Sequence, residues 1–176
     1  MRSAYFHEDD YCQVELLPAA AHGYCLNEMA RIDEFAMAHR DGPGFTDVYM
    51  RGESPVALAS VSLTLADLRS TIGAVLTPFD QVVTGYSSHR ESCRSVNAWG
   101  LDDAAAIFAG VGEADLVESV WFSLHGVPAE CIGEWCRALI SLPRSTELVL
   151  ADWNSSEVVP IDDELALAAY LRGYHA

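Results

Sequence analysis

Apolar and polar residues alternate over residues 11–17, near the start of the chain. The apolar positions, which share one face of an extended segment, are Cys12, Val14 and Leu16. The alternate positions, which share the other face, are Tyr11, Gln13 and Glu15. A period of two predicts a strand with one face in the core and one face in water. Pro18 is expected to end it, because proline has no N–H for a sheet ladder.

The periodicity changes after Pro18 and predicts a helix over residues 19–40. Its apolar positions recur at spacings of four, three and four, at Cys25, Met29, Ile32 and Ala36. Such spacing places them on one helical face. The sequence RDGPG at 40–44 is typical of the turn that ends a helix.

Further apolar patterns predict five more strands. They lie in 45–50, 55–63, 80–86, 117–125 and 146–153, and the first two are expected to pair as a hairpin. In the strand at 117–125, Val120, Phe122 and Leu124 face the core, whereas Ser119, Trp121, Ser123 and His125 face outward. The polar stretch 87–100 is expected to form a loop.

Four more helices are predicted. Thr64 and Asp67 resemble a capping box before the apolar face of Leu65, Leu68 and Ile72. Asp102 or Asp103 is expected to cap a short helix that runs to Phe108. Pro128 suits the first turn of a helix with an apolar face at Ile132, Trp135, Cys136 and Leu139. Asp162 begins a last helix with a face of Leu167, Tyr170, Leu171 and Tyr174.

Helices and strands therefore alternate, but the strands change polarity from residue to residue. This pattern favours an α+β or α/β fold with a mixed or largely antiparallel sheet and helices packed on it. The length of 176 residues and the absence of an evident linker predict one domain, 1–176.

The charge of the chain narrows the range of partners. The sequence has 26 acidic residues against 10 basic ones, all of them Arg, which gives a net charge of −16. Such a field repels nucleic acid and anionic membranes and attracts basic proteins. No apolar signal segment or stretch long enough to cross a bilayer is visible. Five cysteines without an export signal are typical of reduced thiols, so a cytoplasmic location is expected.

The sequence HEDD at 7–10 groups one imidazole with three carboxylates, the side chains that bind cations. It lacks the spacing of a calcium loop or of a zinc protease helix. Cys131 and Cys136 also lack the spacing of a zinc pair. We therefore expect HEDD to form a solvated entry to the first strand, and we predict no metal, no cofactor and no catalytic residue.

Tryptophans close to acidic residues indicate a partner-binding surface. Aromatic side chains beside carboxylates suit a hot spot for an Arg-rich or Lys-rich protein. The predicted partner-binding residues are Glu8, Asp9, Asp10, Trp99, Asp102, Asp103, Asp152 and Trp153.

Two parts of the chain also carry a family resemblance. YFHEDDYCQVELLP at 5–18 and ELVLADWNSSEVVPIDDELALAAYL at 147–171 resemble bacterial immunity proteins, the cytoplasmic inhibitors encoded beside toxins that pass between cells. The resemblance implies a protein with no catalytic residues and a tight complex with a cognate toxin.

Two hypotheses of function therefore stand after the sequence alone. The first is an acidic immunity protein that neutralises a toxin by stoichiometric binding. The second is a small cytoplasmic enzyme, a hydrolase or transferase, whose site assembles from scattered residues such as His89, Cys93 and His125. GYSSHRES at 85–92 lacks the G-x-S-x-G pattern of a nucleophile elbow.

Overall fold

A large antiparallel sheet forms the centre of the computed structural model, which describes residues 1–86, 89–101, 105–124 and 127–173. The strands are β1 (Ser3–Tyr5), β2 (Val14–Pro18), β3 (Arg40–Asp41), β4 (Gly44–Phe45), β5 (Thr77–Pro78), β6 (Gln81–Tyr86), β7 (His89–Ser92), β8 (Val96–Gly100), β9 (Ala106–Val111), β10 (Val117–Ser123), β11 (Leu148–Asp152) and β12 (Glu157–Pro160). The helices are α1 (His22–Ala38), α2 (Leu65–Ser70), α3 (Ile72–Val75), α4 (Ile132–Ile140) and α5 (Glu164–Gly173).

The described strands form three sheets. The large sheet has the order β12-β11-β2-β10-β9-β8-β5, and the small sheet has the order β1-β6-β7. Strands β3 and β4 pair as a short hairpin after α1. Among the described strands, only β1 and β6 pair in parallel. This arrangement confirms the predicted single domain with a largely antiparallel sheet and packed helices.

Both faces of the large sheet are buried. One face packs against α2, α3, α4 and α5, and it contributes Leu16, Ile107, Val120 and Leu150 to the main core. The opposite face has two covers. Helix α1 lies over Leu17 and Val149 at one end, and the small sheet lies over Phe108 and Trp121 at the other. Residues 11–17 therefore contribute to all three clusters: Cys12 packs beneath the small sheet, Leu16 packs in the main core, and Leu17 packs beneath α1.

The strand predicted at residues 11–17 corresponds to β2, which is shorter than predicted and has no face in water. Cys12, Val14 and Leu16 are buried as expected, but β2 begins at Val14, and Glu15 is buried too. Cys12 does not share the face of Val14 and Leu16, because it lies in the turn before β2 and packs beneath the small sheet. The prediction that Glu15 faces outward was wrong, because α1 and the residues around Arg51 cover that face of the strand. Trp121 was also predicted to face outward, and it is buried beneath the small sheet.

Most of the predicted elements are confirmed. Strands lie in 80–86, 117–125 and 146–153, and helix α1 lies in 19–40. The capping box forms: the Thr64 Oγ1 accepts the Asp67 N–H at 3.2 Å, and the Asp67 carboxylate accepts the Thr64 N–H at 2.9 Å. The predicted faces of α4 and α5 are buried, and Tyr174 lies outside the described residues.

Three predictions about local structure were wrong. Residues 89–92 and 96–100 were predicted to be loop, but they form strands β7 and β8. The sequence of β7 is polar throughout because all four of its side chains are exposed, so it has no apolar pattern to indicate a strand. No strand pair forms from 45–50 and 55–63; the hairpin there is Arg40–Phe45, and Leu58–Val61 is a 3-10 turn. The region before Phe108 is the strand β9, since Ile107 and Phe108 are buried on opposite faces of the sheet. Tertiary packing overrides the helical preference of its alanines.

Strands β1, β5 and β12 were not predicted, because each is short and lies at the edge of a sheet. Within the described ranges, no helix combines the length and the apolar character that crossing a bilayer requires.

Candidate functional site

The HEDD sequence forms a compact acidic turn. Glu8–Asp10 is one turn of 3-10 helix, and its N-cap is His7, whose Nδ1 accepts the Asp9 N–H at 3.2 Å. Glu8 and Asp9 are exposed, and Asp10 is half-buried. The turn leads into the buried positions Cys12 and Val14, as predicted, although it is helical rather than extended.

Exposed tyrosines, rather than tryptophans, surround this acidic turn. Tyr5, Tyr11 and Tyr86 are between 39% and 70% exposed. Each ring is held in place: the Tyr5 hydroxyl donates to the Gly85 carbonyl at 2.6 Å, Tyr11 lies 4.8 Å from the ring of Trp121, and Tyr86 lies 5.4 Å from the ring of His7. We call Glu8–Asp10 and these three tyrosines the N-terminal surface. It combines negative charge with fixed aromatic rings.

Three of the predicted partner-binding residues are buried, and the expectation that they are exposed was wrong. Trp99 is 3% exposed and Trp153 is 6% exposed. Trp99 lies in β8 and packs in the main core against α3, where its indole approaches Gly73. The Trp153 Nε1 donates to the Glu15 carboxylate at 2.9 Å. Both tryptophans sit beside loops in the sequence, but the sheet draws them inward.

Asp152 is the third of these residues, and it is fully buried. Its Oδ2 accepts the Tyr170 hydroxyl at 2.8 Å, and its Oδ1 accepts the N–H groups of Asn154 and Ser155 at 2.9 and 3.2 Å. Asp152 therefore fixes the turn between β11 and β12 and joins it to α5. Asp102 and Asp103 lie outside the described residues.

The residues of the enzyme hypothesis lie in and near the small sheet. His89 is exposed on the edge strand β7, and Cys93 is half-buried beneath that sheet. Burial, followed by the charge of Glu91, raises the pKa of the Cys93 thiol, which opposes the thiolate that a nucleophile needs. His125 lies outside the described residues.

The deeper thiols are also held in the neutral form. Burial, with a smaller contribution from the Glu15 carboxylate, raises the pKa of Cys12 to about 12 and that of Cys25 to about 11. Burial likewise raises the pKa of Cys136. In the part of the chain that the structure describes, no group of three His, Cys, Asp or Glu side chains is placed to hold a metal ion.

A cavity of about 560 Å³ opens elsewhere, near the C-terminal end of α4. Its apolar lining residues include Leu142, Leu148 and Ile161. The polar side chains that line it are His22, Arg144, Thr146, Glu147 and Asp162. Neither His89 nor Cys93 lines it.

Residues 45–50 form a second surface, which the sequence pattern did not predict. Phe45, Val48 and Met50 are 63%, 77% and 84% exposed, and Met37, in the last turn of α1, is 76% exposed. We call these four residues the apolar surface. The misassigned hairpin hid it, because apolar residues at 45–63 were expected to enter a sheet.

Buried carboxylates hold the chain behind this apolar surface. The Glu15 carboxylate accepts Arg51 Nη1 at 2.5 Å, and the Arg51 guanidinium stacks 4.0 Å above the ring of Trp153. The Glu28 Oε1 accepts the Tyr49 hydroxyl at 2.9 Å and the Gly52 N–H at 3.3 Å. We call this set of contacts the carboxylate clamp.

Helix α1 completes the clamp. The Tyr24 hydroxyl donates to the Gly52 carbonyl at 2.5 Å, and Arg31 contacts the second oxygen of Glu28 at 3.2 Å. Burial raises the pKa of Glu28, but the hydrogen bonds from Tyr49, Gly52 and Arg31 outweigh it, and the net pKa lies below its usual value. The hydrogen bond to Glu28 also raises the pKa of Tyr49. Glu28 is thus held as a carboxylate.

No family model, curated protein or solved structure matches this chain. The function is therefore inferred from the fold and from these two surfaces.

Proposed function

We propose that this protein is a cytoplasmic, acidic binding protein that neutralises a basic protein by forming a stoichiometric complex with it, as immunity proteins do with their cognate toxins. The observation that carries the proposal is the N-terminal surface, where exposed carboxylates at Glu8 and Asp9 adjoin three fixed tyrosine rings. The resemblance at 5–18 covers part of the same surface.

The charge of the chain supports a basic partner. A net charge of −16 speeds the encounter with a basic protein and repels nucleic acid and anionic membranes. Residues 101–176 contribute −10 of this charge, from 13 acids and three arginines, so the field extends far beyond the acidic turn.

The tyrosines suit the role of anchors. Tyrosine combines a large apolar ring with a polar hydroxyl, and it is enriched among the residues that dominate binding energy. The contacts of Tyr5, Tyr11 and Tyr86 fix their rings before binding, so little side-chain entropy is lost in a complex.

The test is binding kinetics against the product of the adjacent gene, at two salt concentrations. The association rate should fall with salt, because the Debye length shrinks from about 10 Å at 0.1 M to about 3 Å at 1 M. The variant Glu8→Gln/Asp9→Asn/Asp10→Asn should slow association. Tyr86→Ala should mainly speed dissociation, and loss of a true anchor weakens binding about thirtyfold.

A matched control removes three acids elsewhere. Glu113→Gln/Asp115→Asn/Glu118→Gln makes the same change in net charge at the opposite end of β10, and it should slow association less. Failure of the wild-type protein to bind, or saturable turnover of a small substrate by the purified protein, would reject the proposal in favour of an enzyme.

A further inference from the structure

The apolar surface is an outlier on a strongly acidic molecule. Phe45, Val48 and Met50 are all exposed within one stretch of six residues, and grouped apolar exposure is typical of interaction sites, whereas a single exposed apolar residue is ordinary. Val48 and Met50 lie on either side of Tyr49. Tyr49 turns inward: its hydroxyl reaches Glu28, and its ring lies 5.3 Å from the ring of Phe35 on α1. Val48 and Met50 are both largely exposed while Tyr49 between them packs on α1, so the side chains of Val48 and Met50 point away from the body.

The segment that presents these side chains has no secondary structure of its own, and contacts with Glu15 and Glu28 hold it. Residues 46–57 form neither helix nor strand. Their position depends on the carboxylate clamp, which places Glu15 and Glu28 in largely buried sites to grip Tyr49, Arg51 and Gly52. Burying a carboxylate is unfavourable unless it is paired and hydrogen-bonded.

The clamp fixes the outward side chains as well as its own partners. If residues 46–57 served only to connect α1 to α2, a solvated polar loop would do so without two buried acids. A segment fixed in advance loses less conformational entropy when a partner binds. The clamp therefore holds Val48 and Met50 ready for contact.

The negative charge around the apolar surface favours a basic protein as its partner. Residues 33–53 contain five acids, Asp33, Glu34, Asp41, Asp47 and Glu53, against Arg40 and Arg51, so their net charge is −3. All five acids are exposed, whereas Arg51 is paired with Glu15. A second copy of this chain would bring another −16 against the same rim. A basic partner meets the rim with opposite charge.

We propose that the apolar surface docks into an apolar recess with a basic rim on the protein partner. Phe45, Val48 and Met50 supply the contact, Met37 extends it along α1, and the surrounding carboxylates meet Lys or Arg of the partner. The unbranched methionines adapt to the shape of the recess. The proposal rests on the proposed function for the identity of the partner, but its chemistry can be tested separately.

The first experiment tests the chemistry of the contact with a defined probe, a helical peptide with Leu on one face and Lys on the other, which presents an apolar face and a basic border without a recess. Titration near physiological salt should show binding that Val48→Ser/Met50→Ser weakens about tenfold or more. Both side chains are exposed, so the core is unchanged. Leu165→Ser is the matched control, since Leu165 is 81% exposed on α5, across the large sheet, and its loss should leave affinity unchanged. A peptide with Glu in place of Lys should bind far more weakly.

The second experiment repeats the double variant against the product of the adjacent gene. Dissociation should speed up about tenfold or more, while the salt dependence of association stays as in the wild type. Glu28→Gln leaves the contact side chains intact but weakens the clamp, and it should reduce affinity together with faster amide exchange at residues 48–52.

The outcomes separate the two proposals. Peptide binding that the double variant leaves unchanged, or that the triple variant of Glu8–Asp10 abolishes instead, overturns the docking surface. A peptide result as expected, with no binding of the adjacent gene product, rejects the proposed function and leaves the surface standing. Unimpaired binding of that product by the double variant overturns the docking surface. So does a wild-type dimer in sedimentation that Val48→Ser/Met50→Ser dissociates.

Discussion

Glu15 occupies a position in β2 where a carboxylate has little contact with water. It is stabilised by Arg51 on one side and by the indole N–H of Trp153 on the other. Arg51 also donates to the Cys12 carbonyl at 3.3 Å. Glu15 shows that a polar position in an alternating pattern can be buried when a distant part of the chain supplies its partner.

Replacing Arg51 by Met should leave the Glu15 charge buried with Trp153 as its main partner. We expect a loss of about 3 kcal/mol in the free energy of unfolding, measured by urea denaturation with far-ultraviolet circular dichroism. The methionine keeps the packing on Trp153, so the loss reports on charge.

The control for this change is Glu15→Gln/Arg51→Met, which removes both charges. It should be more stable than the single Arg51→Met variant, because no uncompensated charge remains. A double variant less stable than the single one would contradict the assignment of Arg51 as the counter-ion of Glu15.

The cysteines should differ in their reactivity. Cys93 and Cys131 are half-buried, whereas Cys12, Cys25 and Cys136 are buried. Raised pKa values keep Cys12 and Cys25 as thiols at neutral pH. A disulfide reagent on the native protein should therefore label Cys93 and Cys131 first. Mass spectrometry that finds Cys12 or Cys136 labelled as fast would contradict their burial.

At the scale of elements, the grip of α1 on residues 49–52 depends on the ionisation of Glu28. Its pKa lies below the ordinary value of 4.5 in the folded protein, because Tyr49, Gly52 and Arg31 favour the carboxylate over the opposing effect of burial. The stabilisation is fully present above the ordinary pKa, and it is lost as the pH falls through the lower folded value.

This dependence predicts a local titration. In two-dimensional amide spectra, the Gly52 N–H should shift as the pH falls, with an apparent pKa below 4.5. In Glu28→Gln the same signal should not follow this titration. A midpoint at or above the ordinary value in the wild type would show that the clamp does not favour the charged form.

Helix α2 depends on its capping box, because its six residues are too few to be stable alone. Thr64→Ala should cost about 1 kcal/mol in unfolding free energy. Thr64→Ser keeps the hydroxyl and should cost much less. Equal losses in the two variants, measured by urea denaturation, would show that the hydroxyl is not the stabilising group.

Much of the fold could be predicted where one side of an element faces the core and the other faces water. Helix α4 is such a case, since its predicted face is the buried one. The pattern misled wherever an element departs from that rule. Strand β7 is exposed on both faces, and its polar sequence predicts a loop. Strand β9 is buried on both faces, and its sequence predicts a helix.

The candidate site was harder to predict, because surface exposure depends on long-range contacts. Trp99 and Trp153 adjoin acids in the sequence, but strand pairing buries both. The exposed tyrosines of the N-terminal surface come from three places, and the contact of Tyr86 with His7 forms only because β1 pairs with β6. The apolar surface depends on Glu15 and Glu28, which lie 36 and 21 residues from their partners Arg51 and Tyr49.

At the scale of the whole molecule, the net charge of −16 acts against the folded state. Like charges are closer together in the folded chain than in the unfolded one, and salt screens their repulsion. We therefore expect the melting temperature to rise as sodium chloride increases from low concentration to about 0.5 M. A fall over that range would show that the ion pairs Glu15–Arg51 and Glu28–Arg31 outweigh the overall repulsion.

The stacking of Arg51 on Trp153 makes Trp153 an intrinsic fluorescence probe of the clamp. Trp99 and Trp135 lie in the main core, and Trp121 lies opposite Glu15 across the β2–β10 pair, whereas the indole of Trp153 touches both Arg51 and Glu15. Indole emission responds to nearby charge, so occupancy of residues 45–50 should change the fluorescence of Trp153 without any added dye. With Trp153→Phe as the blank, the unmodified protein can report in real time when this segment is engaged.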